Sequence, residues 1–181
     1  MGTIAGHRGA QGREEREMRW KVAILTASDK GSRGEREDTS AQVIRELVEE
    51  ELGGNIVDYR IVPDEQDEIM AALIEMTDYY QADLVLTTGG TGLGPRDITP
   101  EATLKVIERQ VPGISEIMRS ATMSRTRRAM LSRGVSGIRG HTLIINLPGN
   151  PKGVHECLMA VIDQLPHALS IVSGREGEHG S

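Results

Sequence analysis

The chain has 181 residues and a formal net charge of −6, with 38% hydrophobic and 27% charged residues, which suits one soluble globular domain with a substantial core. No run of 18 apolar residues and no apolar N-terminal signal core occur, so a helical membrane span and export are not expected and a cytoplasmic location is the default. Cys157 is the single cysteine, excluding an intrachain disulfide or a cysteine metal site, and with no Phe and one Trp the chain lacks stacking platforms for single-stranded nucleic acid.

Residues 1–19 are polar, charged and aperiodic, and read as a flexible arm outside the core. Trp20–Ala27 predicts the first strand. The polar stretch Ser28-Asp29-Lys30-Gly31-Ser32-Arg33-Gly34 follows at its carboxyl end, as a ligand loop or a plain surface loop. Asp38-Thr39-Ser40 offers N-caps for a helix running to Leu52, with Ile44, Leu47 and Val48 on one face and Gly53-Gly54 as its stop. Asn55–Val62 predicts the second strand. Pro63-Asp64-Glu65 then leads into a helix with Ile69, Met70, Leu73 and Ile74 inward, and by position alone Asp64 reads as its N-cap.

The third strand, Leu84–Thr87, feeds a loop with Gly89, Gly90, Gly92 and Gly94. Thr99 and Pro100 read as N-cap and first residue of the next helix, since Pro lacks an N–H that would be unpaired there anyway. Glycines let backbone N–H groups converge on an anion, and the helix end adds partial positive charge. Asp97 stands beside them as a candidate metal ligand, although the glycines could also serve turns alone. Pro95 breaks the dinucleotide fingerprint and no Gly-Lys-Thr/Ser follows, so neither that motif nor a Walker A loop fits.

That helix is expected to run to about Arg109 and another from Gly113 to Ser124, with Ile114, Ile117 and Met118 apolar; 131–137 reads as turn-rich. His141–Leu147 predicts a strand ending in the rigid turn Pro148-Gly149-Asn150-Pro151. Val154, Cys157, Leu158, Val161, Ile162 and Leu165 form an amphipathic helical stripe, with Cys157 a buried structural thiol and His155 on the surface. A short last helix, 165–172, and a frayed tail, 174–181, complete the chain. Between Glu116 and Glu156 there is no acidic residue, while Arg119, Arg125, Arg127, Arg128, Arg133, Arg139 and Lys152 are all cationic. A local site for an anionic ligand, or a solvated helix face, accounts for such a segment.

Alternating strands and helices predict a three-layer α/β/α sandwich around a largely parallel sheet, one domain over 20–173. The loops at 28–34, 63–65, 88–98 and 148–151 should gather on one edge of that sheet.

Thr87-Thr88-Gly89-Gly90-Thr91-Gly92, Arg96-Asp97-Ile98-Thr99-Pro100-Glu101-Ala102-Thr103 and Leu147-Pro148-Gly149-Asn150-Pro151 resemble the molybdopterin-binding MogA/MoaB family, as do Pro63-Asp64-Glu65 and the 28–34 loop. The likeness spans roughly residues 21–173, and the ordered set is far more specific than any one piece. It implies a cytoplasmic enzyme of molybdenum cofactor synthesis that uses Mg²⁺ and ATP to attach AMP to the terminal phosphate of molybdopterin, releasing pyrophosphate. It further implies that Asp64 and Asp97 are the catalytic and metal-binding pair. Ser28, Asp29, Thr88, Gly89, Gly90, Thr91, Gly92, Gly94, Ser132, Arg133, Pro148, Gly149, Asn150 and Pro151 are implied to bind molybdopterin and nucleotide, with Arg133 gripping phosphate through paired N–H groups. The resemblance also implies a homotrimer (hexamers occur among MoaB-type members) and a molybdenum-insertion enzyme as partner, with no nucleic acid or membrane. Some MoaB-type members bind molybdopterin without transferring AMP.

Overall fold

The structure, a computed structural model, describes residues 19–175; the expected arm, apart from Arg19, and all of the expected tail beyond Arg175 lie outside the described residues. Its strands are β1 (Lys21–Ala27), β2 (Asn55–Val62), β3 (Leu84–Thr88), β4 (Arg109–Gln110), β5 (Ser136–Arg139) and β6 (Thr142–Leu147). Among the described residues they form one sheet in the order β2-β1-β3-β6-β5-β4. The first four in that order pair parallel, and β5 and β4 are added antiparallel.

The helices are α1 (Asp29–Ser32), α2 (Thr39–Leu47), α3 (Gln66–Ile74), α4 (Thr99–Val106), α5 (Pro112–Thr122), α6 (Pro151–Met159) and α7 (Leu165–Ser173). α2 and α3 each continue into a wider π-type turn, Val48–Leu52 and Glu75–Tyr79. The period-2 alternation of β1 divides the core. Val22 and Ile24 pack with Ile44, Leu158, Leu165 and Leu169 on one face of the sheet. Ala23 and Leu25 pack with Ile69, Leu73 and Ala102 on the other. Strands buried on both faces must read as near-continuous apolar runs, as β1, β3 and β6 do. The three-layer α/β sandwich is therefore the observed architecture.

Several local expectations differ from the structure. Ser28–Gly34 contains one helical turn, α1, because Ser28 accepts a hydrogen bond from Gly31 N (3.0 Å) and caps it. The helix expected to reach Arg109 stops at Val106, and Arg109–Gln110 joins the sheet edge. The stretch read as turns ends in β5, hairpinned to β6 through Gly140 at φ +55. The amphipathic stripe from Val154 to Leu165 is not one helix: α6 ends at Met159 and a short 3₁₀ turn, Ile162–Gln164, precedes α7. Ile117, expected on an apolar face, is 53% exposed. Arg175, assigned to the frayed tail, lies 4.9 Å above the Trp20 ring and pairs with Asp83.

Candidate active site

All four parallel strands end at the same edge, and their loops are stitched together there. Ser28 N donates to Val62 O (2.9 Å), joining the ends of β1 and β2. Thr88 Oγ1 donates to Pro148 O (2.6 Å), and Ser40 Oγ donates to Gly149 O (2.9 Å). Gly89 has φ +91, and a Cβ there would stand 2.3 Å from Ala27 O; Gly90 has φ +68, and a Cβ there would stand 2.2 Å from Thr99 Oγ1. The loop passes so close to its neighbours that only glycine fits. A cleft of about 440 Å³ opens at this edge, lined among others by Ser28, Asp64, Thr88, Gly89, Gly90, Asp97, Gly149 and Asn150.

Asp64 and Asp97, on loops 33 residues apart in sequence, both line that cleft. The N-cap of α3 is Glu65, without a side-chain cap, so the capping role open to Asp64 by position is not the one it takes. Asp64 is instead locked to Asp29: Asp29 N donates to Asp64 Oδ2 (3.0 Å) and Asp64 N donates to Asp29 Oδ1 (3.0 Å). Burial pushes the Asp64 carboxyl above the usual carboxylate range, and the charges of Asp29 and Asp97 push the same way. Asp29 is held at about 2 by Arg96, which forks onto its carboxylate (2.6 and 3.0 Å), and by the Asp64 amide. Asp97 Oδ2 accepts from Gly94 N (2.8 Å), and Cβ atoms on Gly92 or Gly94 would come within 2.9 or 2.8 Å of it, so these glycines make room for a carboxylate. The N-cap of α4 is Ile98, one residue before the expected Thr99. Thr99 is buried, and its Oγ1, like Asp64 Oδ1, has no hydrogen-bond partner among the described residues.

Arg133, expected to grip an anion, makes its contacts within the protein. It lines neither this cleft nor the next. Its Nε donates to Gly92 O (2.8 Å), its Nη2 to Asp97 O (2.5 Å), and its Nη1 pairs with the Glu101 carboxylate, which it draws below the usual range. Thr91, Gly92 and Gly94 lie in the loop but outside the wall of the cleft, and Pro151 is a first-turn residue of α6.

A second, smaller cleft of about 140 Å³ lies behind the Pro148–Asn150 turn. Ser132 and Pro148 line it, and Asn150 belongs to both clefts while capping α6 through Gly153 N (2.7 Å). Arg119 and Arg128 face it with no carboxylate paired to either among the described residues; Arg119 Nη1 donates to Gly134 O (3.0 Å). The acid-free segment signalled these two arginines. Asn146, buried beneath the cleft and donating to Thr87 and Thr103, was signalled only as a polar break in an apolar strand. Cys157 is half-buried on the wall of this cleft rather than sealed in the core. Arg36, Glu37 and Thr39 on the rim of the first cleft had no signal beyond their place near a helix start.

A parallel sheet that gathers strand-end loops into clefts at one edge defines the ligand-binding class of α/β protein. Within that class, the family model described as "Probable molybdopterin binding domain" matches residues 23–167, and the chain belongs to that family. It is 47% identical over 154 residues to the molybdopterin adenylyltransferase of Helicobacter pylori strain J99, a match covering 84% of this chain and 88% of that one. It is 42% identical over 149 residues to the Drosophila melanogaster molybdenum cofactor synthesis protein cinnamon, covering 82% of this chain and 25% of that one. Its fold superposes on the crystal structure of the molybdopterin biosynthesis enzyme MoaB from Thermus thermophilus with a TM-score of 0.81 and 52% identity, covering 86% and 97% of the two chains.

Proposed function

We propose that this chain is a molybdopterin adenylyltransferase of molybdenum cofactor synthesis, moving AMP from ATP to the terminal phosphate of molybdopterin with release of pyrophosphate. The observation that carries the reading is the meeting of Asp64 and Asp97 in one cleft beneath the Gly89–Gly90 backbone. Nucleotidyl transfer needs alignment and charge neutralisation more than covalent help from the protein.

The residues present fit Mg²⁺. Asp64 Oδ1 is a buried oxygen with no hydrogen-bond partner among the described residues, and Asp97 lines the same cleft. No group of three or more His, Cys, Asp or Glu gathers among the described residues, and Mg²⁺ characteristically takes one or two carboxylates, with substrate phosphates and water completing its shell. Asp64 and Asp97 would hold the ion, which when bound supplies charge neutralisation between phosphates. Asp29 fixes the Asp64 loop, the glycine backbone leaves space for a phosphate to approach, and the Pro148–Asn150 turn separates the acid-lined cleft from the basic one. Two substrates that meet at a phosphate suit two clefts that share a wall.

The test is AMP transfer by the purified protein with Mg²⁺, labelled ATP and authentic molybdopterin. Transfer should require molybdopterin, and Asp64→Asn and Asp97→Asn should each lose about a thousandfold in rate, equivalent to roughly 4 kcal/mol, while still binding molybdopterin. Near-normal rates in both variants would remove this mechanism. A second reading, molybdopterin binding without transfer, draws on the likeness to MoaB, and an inactive wild type that binds molybdopterin would favour it. The family reading also carries a homotrimer (a hexamer for some MoaB-type members), a molybdenum-insertion enzyme as partner and a cytoplasmic location. No described helix is long and apolar enough to cross a membrane.

A further inference from the structure

The turn that carries Asp97 has little support of its own. Leu93, Gly94, Pro95 and Arg96 are exposed. Inside the turn, Asp97 N donates to Gly94 O (3.0 Å) and Gly94 N to Asp97 Oδ2 (2.8 Å). Those bonds shape the turn without fixing it to the sheet. Two arginines reach across from it or to it. Arg96 ties its outer side to Asp29 and Glu65. Arg133, from the segment before β5, ties its two ends.

We propose that Arg133 is a positioning residue, whose guanidinium fork holds Gly92 O and Asp97 O together and so sets where the Asp97 carboxylate stands in the acid cleft. Its value to the reaction rests on the adenylyl-transfer reading above. All three nitrogens of the fork are engaged: Nε on Gly92 O, Nη2 on Asp97 O, and Nη1 on Glu101. Glu101 stands in the first turn of α4, the helix that the loop enters, so it aims the fork from the loop's fixed end. The Arg133 amide adds a main-chain tie to Thr91 O (2.9 Å). That tie survives side-chain replacement, so the segment stays in place while the fork is lost. A planar fork can satisfy two carbonyls and a carboxylate at once, whereas a lysine ammonium is a point charge on a flexible stem. The guanidinium is engaged on two main-chain oxygens and the Glu101 carboxylate, and it lines neither cleft.

The experiment compares wild type with Arg133→Lys and Arg133→Gln, so that one variant keeps the charge if the other folds poorly. Three quantities are read: kcat at saturating molybdopterin, the dissociation constant for molybdopterin, and amide exchange across residues 92–98. Positioning predicts a kcat loss of about 100-fold in both variants, since a misplacement near 1 Å costs that much. It predicts a molybdopterin affinity within about threefold of wild type, and exchange at the Gly94 and Asp97 amides about tenfold faster. A weakened molybdopterin affinity with kcat restored at saturation would overturn the proposal in favour of a substrate grip. Unchanged exchange across 92–98 would overturn it outright. If wild type transfers no AMP, the adenylyl-transfer reading fails by itself, and the exchange measurement still decides whether Arg133 holds the turn.

Discussion

Asp64 carries its charge where burial and two neighbouring carboxylates oppose it. The folded protein therefore keeps that proton to higher pH than the unfolded chain, whose Asp releases it near 3.8. Between the two values the folded state binds more protons, so in divalent-free buffer this residue lowers stability as pH rises. Asp64→Asn has no such proton. Its melting temperature should match wild type at the acid end of the window and gain on it as pH increases; a difference that stays constant with pH would contradict the burial argument. Gly89→Ala tests the neighbouring backbone. Its Cβ meets a main-chain oxygen that cannot swing away, at a positive φ, and the expected loss in denaturant unfolding is about 2–4 kcal/mol. At this scale the place of Asp64 and Asp97 at one sheet edge was legible because they sit in strand-end loops. The contacts of Arg133 were not, because its targets are main-chain oxygens of a loop about forty residues away, and a main-chain oxygen leaves no mark in a sequence.

The short elements around the site depend on each other more than on local propensity. Asn150 caps α6 and also stands in the wall between the clefts. Asn150→Ala should cost about 1 kcal/mol of stability through the cap alone. If the wall matters as well, titrations will show weaker binding of both nucleotide and molybdopterin; loss of stability with both affinities intact would confine Asn150 to capping. β1, β3 and β6 could be read as strands because burial on both faces imposes apolar runs. β5 could not: Ser136-Gly137-Ile138-Arg139 is extended because β6 offers it a partner, and Gly137 is required because a Cβ would strike Ile107 at 2.4 Å and Arg109 O at 2.7 Å. The break between α6 and α7 was hidden for the opposite reason. Val161, Ile162 and Leu165 are buried in a bent chain as they would be in a straight helix, so the stripe gives no sign of the bend.

Across the whole molecule, a net acidic chain sets Arg119 and Arg128 on the cleft at one side of the Pro148–Asn150 turn and Asp64 and Asp97 on the cleft at the other. The alternation of elements made the sandwich legible, and the rule that ligands collect at strand carboxyl ends located the edge. The division into two clefts was not legible, since the basic one draws on α5, the 3₁₀ turn Arg127–Leu131, the approach to β5 and α6 at once. Cys157 offers a chemical report on that cleft. Burial pushes its thiol above the usual value of 9.0, so iodoacetamide should label it slowly near neutral pH and faster as pH rises. Molybdopterin should protect it, and a labelling rate indifferent to saturating molybdopterin would place the ligand elsewhere.

At two points of the acid cleft main chain meets main chain, Gly89 against Ala27 O and Gly149 against Gly89 Cα. Those points are hard to retune by exchanging one amino acid for another, because a Cβ at Gly89 or Gly149 is pushed toward neighbouring backbone. Evolutionary drift, and laboratory evolution after it, is then confined to the rim, where Arg36, Glu37 and Thr39 are exposed and free to vary. A randomised library at those three positions should yield mostly folded proteins with altered ligand preference, whereas one at Gly89, Gly90 and Gly149 should yield mostly unfolded ones.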